Sequence, residues 1–92
     1  MAKAIVSSRV MPENPDVDLK KLEEDALSKI KEFAGDCETK IEIEPIAFGL
    51  KALKITFVMD ESLGSTEPLE KAISEIEDVS SFEIIDVRRA IG

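Results

Sequence analysis

A chain of 92 residues has the length of one domain, 1–92, with room for only a modest core. Its 20 acidic residues against 12 basic ones leave a net charge of −8, which works against binding a phosphate backbone. With no histidine and only one cysteine, Cys37, it can form neither a Ser-His-Asp triad, a Cys-His pair, an intrachain disulfide nor a four-ligand zinc site.

Hydrophobic residues at 43% and charged residues at 35% make a folded, water-soluble balance. No apolar run approaches the roughly 20 residues that span a bilayer, and Met1–Met11 lacks the apolar centre of a signal peptide. The expectation is a cytoplasmic protein with no membrane partner. Glutamine is absent and Asn14 is the only asparagine, while Glu and Lys are abundant, a composition that leans towards thermophiles.

Residues 4–11 alternate as a strand, with Ala4, Val6, Ser8 and Val10 on one face and Ser7 and Arg9 on the other. Pro12 and Pro15 stop it, because neither can donate a ladder hydrogen bond. A helix follows, capped by Asp16 or Asp18. Leu19, Leu22, Ala26, Ile30 and Phe33 recur at steps of three and four along one stripe. Gly35 is the expected stop.

Residues 39–43 form a second strand, and Pro45 at its end marks it as an edge strand. Residues 50–59 alternate again, with Leu53, Ile55, Phe57 and Met59 sharing one face. The sharp connection between them is Pro45-Ile46-Ala47-Phe48-Gly49. After a loop over 60–65, a second helix starts near Ser65 or Thr66. It tolerates Pro68 in its first turn and buries Leu69, Ala72, Ile73 and Ile76. Residues 80–88 form the last strand. Phe82 and Ile84 share a parity that Ile85 and Val87 do not, and a bulge near Ile85–Asp86 would reconcile them.

The order βαββαβ predicts an α+β, ferredoxin-like fold: a four-stranded antiparallel sheet with two helices on one face. The open face is expected to be mostly polar, carrying Ser7, Arg9, Ala52, Lys54 and Thr56.

Chemistry-bearing residues are sparse. Glu42, Glu44, Asp60 and Glu61 are the oxygen donors a hard cation would need, but no Asp-rich calcium loop frames them, and a solvated face is the simpler reading. Gly64-Ser65-Thr66 lacks the glycine and lysine of a phosphate loop, and reads as a helix cap. No metal or cofactor is expected.

Phe48 has two readings. Its ring tucks into the edge of the core while Gly49 permits the turn, which spacing alone favours, or it is an exposed aromatic anchor. Arg88 and Arg89, near the end of an acidic chain, either pair with surface acids or reach an anionic group on a partner.

Three segments carry a resemblance: Val10 to Leu19 (VMPENPDVDL), Glu44 to Leu53 (EPIAFGLKAL) and Asp86-Val87-Arg88-Arg89. In order and over the whole chain they resemble the archaeal translation elongation factor 1-beta family. The resemblance implies a guanine-nucleotide exchange factor for the GTPase elongation factor 1-alpha, a non-enzymatic regulator and a monomer when free. By the same resemblance the partner-binding residues are Pro45, Ile46, Phe48 and Gly49 of the hairpin, with Arg88 and Arg89. Arg89 takes the position of a eukaryotic lysine directed at the magnesium and phosphate region of the GTPase. The competing class is a ferredoxin-like regulatory domain that binds a small molecule, because this fold hosts many functions. An RNA-binding domain of the same element order would need stacking aromatics on its central strands, and the first strand has none.

Overall fold

The computed structural model describes residues 3–90. Residues 1–2 and 91–92, which the single-domain reading includes, lie outside the described residues. The elements are β1 (Lys3–Pro12), α1 (Leu19–Ala34), β2 (Thr39–Pro45), β3 (Lys51–Asp60), α2 (Glu67–Ser74) and β4 (Val79–Ala90), with a single 3-10 turn over Glu61–Leu63. The four strands make one antiparallel sheet in the order β2-β3-β1-β4. This is the ferredoxin-like α+β arrangement that the element order predicts.

Local chemistry accounts for the ends of the first helix. Asp18 caps α1, its carboxylate accepting from the backbone N–H groups of Lys20 (3.0 Å) and Lys21 (3.4 Å). Gly35 closes the helix with φ 73°, a conformation that costs glycine little, and donates its N–H to the Lys31 carbonyl. At the start of α2 the Ser65 hydroxyl accepts from the Glu67 N–H, while Thr66 spends its own hydroxyl on the Glu70 carboxylate.

One core lies between the helices and the sheet. Ala4, Val6 and Val10 of β1 and Leu53, Ile55, Phe57 and Met59 of β3 meet Leu22, Ala26 and Ile30 of α1 and Leu69 and Ile73 of α2. Ser8 is the one polar side chain buried with them among the described residues, and its hydroxyl donates to the Ile55 carbonyl at 2.8 Å. That bond offsets the cost of placing a hydroxyl in the core.

The register of β1 against β4 shifts between Ser7, opposite Asp86, and Ser8, opposite Ile84. Ile85 is therefore the extra residue, within the stretch where a bulge would reconcile the parity of the sequence. A second shift follows between Met11 and Pro12, and leaves Ser80 unopposed. On the open face, Ala52 departs from expectation: it is fully buried although no helix covers that side. Beside it the Arg9 side chain reaches from β1 across β3 to Glu44, the residue opposite Ala52 on β2.

Replacing Asp18 with alanine leaves the first N–H groups of α1 without their acceptor. A loss of about 1 kcal/mol in unfolding free energy is expected, read from the urea midpoint with an unchanged slope.

Candidate functional site

The β2–β3 hairpin closes through two backbone bonds. Ile46 donates its N–H to the Leu50 carbonyl (2.9 Å), and Leu50 donates to the Ala47 carbonyl (2.8 Å). The two residues between Ala47 and Leu50 both have positive φ, Phe48 at 52° and Gly49 at 78°. That is the signature of a type I′ turn, whose twist matches the flanking strands. Glycine adopts it freely, but for a bulky side chain it is an outlier that costs of order 1–3 kcal/mol.

Phe48 gains no packing in return. Its relative exposure is 101%, so the ring stands free in solvent. The reading that spacing favoured, a ring tucked against the core edge, is therefore corrected. Spacing reports which residues recur on a face, but not the φ that turns a loop side chain outward. Ile46 beside it is also exposed, at 42%. The tip thus carries two apolar side chains beside the proline that ends the edge strand.

The Pro12–Val17 segment lies against the same hairpin. Asn14 organises it by accepting the Asp16 N–H on its side chain and the Val17 N–H on its carbonyl. Glu13 ties it to the start of β4 by donating its N–H to the Asp78 carbonyl at 2.9 Å, next to the Pro12–Val79 pair. Between segment and hairpin is a cleft of about 170 Å³ lined by Pro12, Asn14, Pro15, Val17, Leu19, Gly49 and Lys51.

Arg88 and Arg89 are at the other end of the sheet. Arg89 is opposite Ala4, which is opposite Met59, whereas the hairpin begins beyond Lys51. At about 3.3 Å per residue, the eight steps from Met59 to Lys51 separate the two ends by roughly 26 Å, before the loop itself is added. The structure brings Pro45, Ile46, Phe48 and Gly49 together and leaves the arginines apart from them, in a domain 42 Å long.

Strand alternation also divides the arginines. Arg88 shares the open face with Ile5, and its Nε donates to Asp86 at 2.8 Å. Arg89 shares the helix-side face with Ala4 and grips Glu61 with two parallel bonds, Nε to Oε1 at 2.8 Å and Nη2 to Oε2 at 3.0 Å. Glu61 sits in the 3-10 turn after β3, where the Asp60 carboxylate accepts the Ser62 N–H.

The hydrogen bonds from Arg89 hold the Glu61 carboxyl below the usual glutamate range, against the opposing effect of desolvation. The Ser62 N–H chiefly does the same for Asp60. Cys37 differs: burial pushes its thiol up, which makes it a poor nucleophile. Glu61 was legible in the sequence only as one acid among several. Its pairing with Arg89 needs the intervening strand β1 to bring positions 61 and 89 together.

No helix among the described residues is long and apolar enough to cross a membrane.

Residues 5–90 match the EF-1 guanine nucleotide exchange domain family. The chain is 45% identical over 89 residues to a protein named elongation factor 1-beta from Methanothermobacter thermautotrophicus, covering 97% of this chain and 98% of that one. It is 44% identical over 81 residues to the elongation factor 1-beta of Methanosphaera stadtmanae, covering 88% and 89%. With that of Staphylothermus marinus it shares 43% over 93 residues, covering 97% and 98%. Among solved structures it resembles the de novo designed protein Foldit4, with a TM-score of 0.63, 17% identity and 98% of each chain covered, a likeness of fold alone.

Three outcomes follow from this geometry. Phe48→Gly relieves the turn, so the urea midpoint should hold or rise, by up to about 1 kcal/mol of unfolding free energy. A fall well beyond the roughly 1 kcal/mol that glycine costs through the unfolded chain would show that the ring packs in solution. Glu61 stays ionised in the folded chain to lower pH than in the unfolded one, so its pair with Arg89 stabilises fully above the unfolded glutamate pKa of about 4.3. That contribution is lost as pH falls through the lower folded value. The stability difference between wild type and Glu61→Gln should shrink over that window. In Arg89→Ala, an NMR titration should find the Glu61 carboxyl moved back up.

Proposed function

The chain belongs to the EF-1 guanine nucleotide exchange domain family, and from that membership we propose that it binds the GTPase elongation factor 1-alpha and speeds the release of GDP by disturbing its magnesium and phosphate site. The observation that carries this reading is Phe48: a bare aromatic ring held in a strained turn has no structural return within the domain. Exposed aromatics with few rotatable bonds are the side chains that anchor protein partners at low entropic cost.

The division of labour follows from the two ends of the sheet. The hairpin, with Pro45, Ile46, Phe48 and Gly49, anchors. Arg88 and Arg89 act at a distance on the anionic part of the GTPase site. Arg89 is already extended and ordered by Glu61, so it presents a fork suited to phosphate or carboxylate. To act, it trades one carboxylate for another acceptor, an exchange of similar charge-assisted bonds.

The energetics are those of linkage. GDP is held by the phosphate loop of a GTPase and by Mg²⁺. A partner that weakens that hold is itself weakened by the nucleotide to the same degree. A thousandfold drop in nucleotide affinity takes about 4 kcal/mol of coupling, which an aromatic anchor and a guanidinium can supply. Exchange of this kind draws on binding energy alone, without a nucleophile or a general base. The acidic charge of −8 suits a basic partner and speeds encounter with it at low salt.

The test is release of a fluorescent GDP from elongation factor 1-alpha as the chain is titrated in. The wild type should accelerate release to a plateau; no acceleration at saturation would sink the proposal. Phe48→Ala should raise the half-saturating concentration by about tenfold or more. Arg89→Ala should lower the plateau instead.

A further inference from the structure

Arg9 stands on the open face of the inner strand β1, towards its hairpin end. Its Nη2 is 2.9 Å from Glu44 Oε1 on one edge strand, and its Nη1 is 3.3 Å from Glu83 Oε1 on the other. To meet Glu44 it crosses β3, a distance of two inter-strand spacings of about 4.8 Å each. Lys54 is its neighbour across the β1–β3 ladder and adds a like charge. The Arg9 side chain is only 29% exposed, and its Nε is buried without an acceptor. A guanidinium this desolvated is held against a cost, and two carboxylates at its tip offset it.

Glu44 is the last residue before the proline that opens the turn. It lies on an edge strand bonded to β3 alone, and Pro45 has no N–H to add. Among the described residues, the Arg9–Glu44 bond is the only side-chain hydrogen bond or ion pair reaching residues 44–50. Beyond the backbone ladders of β2 and β3, the hairpin that carries a strained φ at Phe48 is therefore tied to the rest of the sheet by one polar side-chain contact, at its root.

We infer that Arg9 is a positioning residue: by clamping Glu44 to the inner strand β1 it holds the hairpin in the conformation that presents Phe48. The inference rests on the reading of Phe48 as the partner anchor. Preorganising a loop lowers the ordering cost at binding, so the effect falls on affinity rather than on the step that expels nucleotide.

Arg9→Met keeps the length and apolar stem of the side chain and removes its fork. Hydrogen exchange should quicken at the amides of Ile46 and Leu50, which close the hairpin, and stay slow at those of Val6 and Ile55 in the core. In the GDP-release assay, the half-saturating concentration should rise roughly fivefold, about 1 kcal/mol, with the plateau kept. On a Phe48→Ala background the same change should add nothing, and Arg9→Lys should recover part of the loss. Unchanged protection at Ile46 and Leu50, or a loss that adds fully to that of Phe48→Ala, overturns the inference. If Arg9→Met fails to fold, Glu44→Gln weakens the same tie from the hairpin side and is read in the same way. If the wild type does not accelerate release, or Phe48→Ala changes nothing, the partner reading fails. The exchange measurement then still decides whether Arg9 holds the hairpin.

Discussion

The parity of β1 governs this domain. Ala4, Val6, Ser8 and Val10 face the helices, so Lys3, Ile5, Ser7 and Arg9 must face the other way. Because β1 is an inner strand paired on both sides, that choice is imposed on its neighbours. It aligns Leu53, Ile55, Phe57 and Met59 of β3 with the core, and it sets which residues of β4 look towards the helices. A slip of one residue would send every one of these side chains to the opposite face. Ser8 adds a check on register that apolar packing lacks, since its hydroxyl bonds to one carbonyl, that of Ile55.

From this constraint comes a molecule with two unlike ends. At one, chain geometry is spent on exposure: a phenylalanine takes a backbone conformation that suits glycine, and gains solvent. At the other, charge is spent on order. Arg89 is gripped by Glu61 and Arg88 by Asp86, so neither guanidinium is loose even though both are exposed. Between them runs one continuous sheet, with Arg9 reaching from β1 to both edge strands. Exposed ion pairs of this kind add little stability. Their contribution lies in fixing where long side chains point.

Much of this was legible in the sequence because it is local. The Asp18 cap, the Gly35 stop, the helix stripes and the period-two strands each depend on a few adjacent residues. Even the bulge at Ile85 announced itself, as a change of parity between Ile84 and Val87. The family resemblance rested on Val10 to Leu19 and Glu44 to Leu53, and these two segments fold against one another beside the cleft. What was hidden depends on angles or on strands remote in sequence. The φ of Phe48 leaves no mark in spacing. Arg9 reaches Glu44 only once two ladders are in register, and Glu61 finds Arg89 only across β1. Arg88 and Arg89 read as one basic pair in the chain, yet alternation sends them to opposite faces.

The sheet order also fixes a sequence of events in time. Of the sheet's four strands β1 is synthesised first, but its outer ladder is made with β4, the last of the four. Until Val79–Ala90 has been made, one edge of β1 has no partner and the apolar residues of its inner face are covered on one flank only. The ladder contacts of longest sequence separation are therefore the ones that complete the domain, and such contacts are slow to form. Arg89 is brought to Glu61 by that final ladder. A chain cut short before β4 has the hairpin with its aromatic tip but no guanidinium at the far end. Completion of the sheet and completion of the two-ended surface are one event.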